Sequence, residues 1–346
     1  MRQAPTPAQH RDQTGPPAGP AAVHQGVRRL TALGRRGSGA AARAQTPWTW
    51  GAIAVLIGYL LLAPPVLLFG PLAGLLLLTR PASVREWLCL MATGIWTVLW
   101  LNQGGGLAAQ VARAGAVLLI GTFLALTVWR PSARFSRALA ATAVAGVALT
   151  LWMWRLNIAW GAVRRAVENE LWTYNRELMV QLGVVGDTGF AGQGLLDQMS
   201  ATVRTIGAFY PALLFLAGLA GLRLAWSWYH RIVARPVGPA PTAFAAFKFN
   251  DQLVWGWVAG LGLCLLPWSP AWTGLGSNLL LVWSVLYAAR GLAVFSAGSK
   301  RVPRLVIATL GVVAMFLLPF VVGGLTLLGL ADTWLDFRRR LATSAT

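Results

Sequence analysis

Residues 107–129 read LAAQVARAGAVLLIGTFLALTVW, with Arg113 as the one charge among them. The hydrocarbon core of a bilayer is about 30 Å thick, which about 20 helical residues span at about 1.5 Å each. This stretch is long enough to cross. It also lacks the polar face that a helix on a water-soluble surface would need. Further apolar stretches surround it, at 48–79, 87–101, 135–154, 206–229, 253–268, 278–297 and 305–331. The expected fold is all-α: a polytopic transmembrane helical bundle of about 8–10 membrane segments with both termini cytoplasmic.

Composition agrees. Only 11% of the 346 residues are charged and 56% are hydrophobic, whereas soluble chains carry about 25% charged residues. So few charges cannot coat a water-soluble surface. The net charge is +19, but the basic residues punctuate apolar runs instead of gathering on a soluble domain with aromatic platforms. That pattern argues against nucleic acid as a partner and matches the excess of Lys and Arg in cytoplasmic loops. Arg80 and Arg85, then Arg130, Arg134 and Arg137, then Arg231, Arg235 and Lys248, then Lys300, Arg301 and Arg304 mark basic connections. The alternate connections, 102–106 and 269–276, are uncharged. Placing every basic connection inside requires an even number of crossings in the first and last runs, each broken by proline (Pro64, Pro65; Pro319). Terminal hairpins would give ten segments, and re-entrant ends would leave eight.

Residues 1–47 hold seven arginines and one acid, Asp12. Lacking an apolar core, they read as a disordered cytoplasmic tail that either meets anionic lipid or sets topology. No short apolar stretch with a small-residue cleavage site follows the basic start, so a signal peptide is not expected. Residues 48–340 form the bundle and 341–346 a short tail. Within the bundle, 155–204 hold half of all the acids: Glu168, Glu170, Glu177, Asp187 and Asp197. Leu156, Trp160, Val163, Val167, Leu171, Tyr174, Leu178 and Leu182 recur at spacings of three and four, an amphipathic seam. Parity puts this insertion outside, as a lid over a cavity or as a packing helix.

Ionisable groups inside a membrane are costly and mark candidate sites. Arg113, Arg223 and Arg290 fall within apolar stretches, and Asn278 begins one. Converged, they would bind an anionic ligand or headgroup. Apart, Arg223 and Arg290 snorkel and Asn278 caps its helix. Cys89 and Cys264 lie in apolar runs, and the histidines (His10, His24, His230) show no metal-ligand spacing. No catalytic set is visible. The expectation is a non-enzyme without cofactor. Gly256 and Gly260 form a GxxxG that permits close helix contact.

The stretches FKFNDQLVW (247–255), LYAARGLAV (286–294) and LGLADTWLDFRRR (328–340) together resemble the YybS-like family of bacterial multi-pass membrane proteins. The resemblance covers 247–340. It implies a protein of the bacterial cytoplasmic membrane, distantly like the substrate-binding membrane components of energy-coupling-factor vitamin transporters. Two roles stay open for such a chain: a small-molecule binding or transport component, or a scaffold for the cell envelope. In the second, Asp332, Trp334, Asp336 and Arg338 would dock a membrane or cytoplasmic partner. A plainer reading makes that segment a helix end, with Trp at the interface and arginines holding it inside.

Overall fold

The computed structural model describes residues 50–129, 135–181, 190–266, 269–299 and 303–337, all within one compact unit, Thr49–Thr346. The 1–47 tail, the 341–346 tail and Arg338 lie outside the described residues. Eleven α-helices follow one another among the described residues: α1 (Trp50–Leu62), α2 (Val66–Thr79), α3 (Val84–Leu101), α4 (Leu107–Trp129), α5 (Phe135–Arg155), α6 (Trp160–Gln181), α7 (Phe190–Ile232), α8 (Val254–Leu265), α9 (Pro270–Gly298), α10 (Arg304–Phe316) and α11 (Leu318–Leu335). The described residues contain no strand. Six of the helices are long and apolar enough to cross a membrane: α3, α4, α5, α7, α9 and α11. The protein is an all-α polytopic bundle.

The core forms around α2, which is apolar on every side. Val66, Leu67, Leu68, Leu72, Leu75 and Leu76 are all buried, as expected of a helix without a polar stripe. It packs on α3, α4 and α7. Gly70 meets Ile120 and Gly74 meets Leu124, so α2 and α4 run in the same direction. With those faces used, α1 does not pack along α2. The expected terminal hairpin is therefore not formed here. Pro64 and Pro65 break the run, and α1 reaches the bundle through Tyr59, whose hydroxyl donates to Ala217 O at 3.0 Å.

At the other end, Ser284 O accepts from the Thr326 hydroxyl and Arg290 pairs with Asp332, in each case across 42 residues. A constant offset means that α9 and α11 run in the same direction. They meet at Gly291 and Gly329, where an added methyl would overlap Leu325 O or Tyr287 O. The intervening 13-residue α10 must then carry the chain back towards the start of α9. The GxxxG of α8 also makes a close contact: Gly256 faces the Trp283 ring and Gly260 the Leu280 backbone of α9.

Basic connectors meet at one end of the bundle; Arg130, Arg134, Lys300 and Arg301 lie outside the described residues. Glu86, which follows Arg80 and Arg85, accepts from Ala82 N–H (2.7 Å) and, across the bundle, from Ala234 N–H (3.0 Å) beside Arg235. Lys248 stands 3.9 Å from Asp336. On the opposite side, the 102–106 turn meets α6, with Gly106 against Glu170. Helix α6 packs on α4 and α7 through Val163 and Val167, both buried. The predicted seam is only partly covered, since Leu156 and Tyr174 are exposed and Leu182 lies outside the described residues. The α5–α6 turn is a Schellman motif: Ile158 N–H donates to Met153 O and Asn157 N–H to Trp154 O, with Asn157 at φ 55°.

Candidate functional site

Two polar features occupy this apolar frame. The first is a clasp. Arg290 sits on α9 with no solvent exposure. Its Nε donates to Asp332 Oδ2 at 2.9 Å, its Nη2 to Asp332 O at 3.2 Å, and its Nη1 to Asp251 Oδ1 at 2.7 Å. The guanidinium lies 5.3 Å from the Phe249 ring centre, and Phe249 packs edge-on against Tyr287. Lys248 completes the array, 3.8 Å from Asp251 and 3.9 Å from Asp336. One deep cation thus ties the start of α8, the middle of α9 and the end of α11. A buried guanidinium requires such partners, because unpaired it costs several kcal/mol (about 3–5).

The second feature is a cavity of about 1180 Å³ bounded by α5, α7, α9 and the 242–253 segment. Helices α5 and α9 both pack on α7, and the opening between them forms the cleft. Its wall follows α5 from Ser136 to Leu151, which is roughly 22 Å of helix. Small residues such as Ala140, Ala143 and Gly146 keep that wall low. Among the described residues lining it, Arg223 and Lys248 carry charge, both basic. Arg223 donates to Thr242 O at 3.1 Å, so both cations belong to the end closed by the 242–250 segment.

Residues 51–333 match the family described as predicted membrane protein (DUF2232). The chain belongs to that family. No curated protein and no solved structure matches it. The match includes every helix of the clasp, together with Asp251, Arg290 and Asp332.

In this DUF2232 protein the four intramembrane residues singled out from the sequence do not converge. Arg223 and Asn278 line the cavity; Arg113 and Arg290 do not. Arg113 lies at the opposite side, donating from Nε to Ala109 O and from Nη1 to Gln103 O. It pins the uncharged 102–106 turn. Asn278 does not begin its helix: Ser269 is the N-cap and Pro270 the first residue of α9. The Asn278 amide instead accepts from Ala212 N–H (3.0 Å) and donates to Ala208 O (3.0 Å). Both groups lie on the backbone of α7 next to Pro211, so the amide ties α9 to α7 at the proline.

The proposed docking residues divide as well. Asp332 is 1% exposed and committed to Arg290, so it offers no carboxylate to a partner. Trp334 is 70% exposed. Asp336 follows α11 in the left-handed region (φ 41°) and stands 3.9 Å from Lys248. Lys248 and Asp251 belong to the site although the sequence marks them only as part of the FKFND stretch. Among the described residues, no group of three His, Cys, Asp or Glu side chains could hold a metal ion.

Proposed function

We propose that this membrane protein is a binding component that takes a long, amphipathic small molecule from the bilayer into the α5–α7–α9 cavity. The cavity carries the reading. At about 1180 Å³ it exceeds the roughly 300–1,000 Å³ of sites for drug-sized ligands. Its walls are apolar except for the Arg223–Lys248 end and scattered hydroxyl and amide groups. The resemblance to the YybS-like family, and through it to energy-coupling-factor substrate-binding components, supports the same role. We place the protein in the bacterial cytoplasmic membrane, as that resemblance implies. A transport cycle would need a partner that supplies energy, and the basic face at Arg231, Arg235 and Lys248 is where we place it. The role requires no catalytic step and no cofactor.

Native mass spectrometry of gently solubilised full-length protein tests this proposal. The expected result is a retained small molecule that disappears in Gly146→Phe, a substitution that projects into the cavity from a position with open space around it. Equal retention by both proteins would refute it. The scaffold reading keeps one observation, the exposed Trp334. Retained protein subunits that are lost on Trp334→Ala would favour that role instead.

A further inference from the structure

The proposed binding role leaves the ligand's chemistry open, and the cavity's two ends differ. At one end stand Arg223 and Lys248. Arg223 is half-buried nine residues before the end of α7, and among the described residues its hydrogen bond goes to a single neutral carbonyl, Thr242 O. A guanidinium has five N–H donors, so donors remain for a group in the cavity that Arg223 lines. The Lys248 contacts to Asp251 and Asp336 are 3.8 and 3.9 Å, longer than hydrogen bonds. Its ammonium is also half exposed, so it stays available to a further anion. No acidic side chain lines the cavity among the described residues. A group entering this end therefore meets two cations in the wall: Arg223, whose described partner is neutral, and Lys248, which has Asp251 and Asp336 behind it at 3.8 and 3.9 Å.

From there the wall runs roughly 22 Å along α5 towards Leu151 and Trp160, about two-thirds of the hydrocarbon thickness. That end is formed by Val147, Leu149, Leu275 and their neighbours. A free anion would leave all of it empty. An uncharged hydrocarbon would leave two cations facing apolar matter, which is costly. The shape and charge together suit one kind of molecule.

Resting on the binding role above, we infer that the cavity takes an anionic amphiphile: a phosphate or carboxylate head between Arg223 and Lys248, with one or more long hydrocarbon tails laid along α5 and α9. The head lies at the side where the basic connectors gather, so the ligand enters from the leaflet on that side. Helices α5 and α9 form the two posts of the entrance.

The test uses full-length protein reconstituted in phosphatidylcholine vesicles. These carry a trace of photoactivatable lipid with a diazirine in the acyl tail and either a phosphatidylglycerol or a phosphatidylcholine head. Cross-linked peptides are then mapped. The glycerol-headed probe is expected to label residues 143–151 and 275–283 about tenfold more than the choline-headed one, as two membrane-surface cations allow. Replacing Arg223 and Lys248 by Gln should abolish that preference while tail labelling persists. Should the double variant fail to accumulate, Lys248→Gln alone should reduce the preference severalfold. Gly146→Phe should lower labelling by both probes. Millimolar inorganic phosphate should change nothing; suppression by it would reassign the cations to a soluble anion and overturn the inference. Equal labelling of the cleft by both probes would overturn the anionic head and leave the binding role standing. Labelling by neither probe in the cleft would overturn both.

Discussion

Replacing Asp332 with Ala removes one carboxylate from a guanidinium that has no solvent to turn to. Arg290 and Asp332 are 0% and 1% exposed. The variant leaves Arg290 with Asp251 at 2.7 Å, but the Asp251 side chain is 44% exposed and its charge is shared with solvent and Lys248. Breaking a fully buried pair costs about 3–5 kcal/mol, and retention of Asp251 places the cost near the lower bound, about 3 kcal/mol. Each kcal/mol moves the melting temperature of a 150–250-residue domain by about 2–4 °C and of the larger Thr49–Thr346 unit by somewhat less, so a loss of about 5 °C is expected. The assay is thermal unfolding in mild detergent, read as the fraction remaining monodisperse on size exclusion. Asp336→Ala provides the control, since its contact with Lys248 is 3.9 Å long and half exposed. An exposed pair of this kind is worth under about 1 kcal/mol. If the two variants melted together, or if salt abolished the Asp332 effect, the clasp would not be a buried ion pair that holds α11 to α9.

Four other outcomes follow from the same packing. Gly329→Ala and Gly291→Ala should each lower the melting temperature, because the added methyl overlaps a backbone carbonyl of the facing helix; Gly121→Ala, with open space around it, should be neutral or raise it. Asn278→Leu should cost about 1–3 kcal/mol by removing two hydrogen bonds to the α7 backbone beside Pro211, and Asn278→Gln should not rescue it, readable in the same melts. Single cysteines at Gln103 and Val237 should react with impermeant maleimide from opposite sides of sealed vesicles; labelling from one side would break the assignment of connectors to two faces. Arg113→Gln should leave ligand retention in native mass spectrometry unchanged, since Arg113 lies outside the cavity.

Hydropathy alone located α4 to the residue, 107–129, because lipid exposure and helix length are both written as an uninterrupted apolar run. It failed at α9. The helix begins eight residues before Asn278, and 269–276 (SPAWTGLG) is too poor in large apolar residues to register. The legible signal there was Ser269-Pro270, a capping residue followed by proline at the first helical position. The clasp was harder. Asp251, Arg290 and Asp332 are separated by 39 and 42 residues, so no local spacing joins them. Only the packing of α9 against α11 does so. One argument was available from charge alone: three of the ten acids, Asp251, Asp332 and Asp336, lie within the last hundred residues alongside a deep arginine. An arginine two turns inside a membrane needs a counter-charge. Snorkelling would serve an arginine near a helix end, whereas Arg290 is fully buried and is met by Asp251 and Asp332.

The remaining cations show how the bundle separates structure from binding. Arg290 is matched by two carboxylates, and Arg113 is spent on two carbonyls at the rim. Arg137 lies over the Trp226 ring at 4.1 Å. Each of these is held by fixed groups of the chain, and each fixes a helix or a turn. Arg223 differs because its described partner is one neutral carbonyl and its neighbour on the other side is a cavity. The segment that supplies that carbonyl also supplies Lys248 and Phe249, the latter packed under the Arg290 guanidinium. The same short segment therefore closes the cavity and braces the clasp. A ligand head that draws Lys248 away from Asp251 and Asp336 would be felt by α8 and α11 at once, through Asp251 and the end of the last helix.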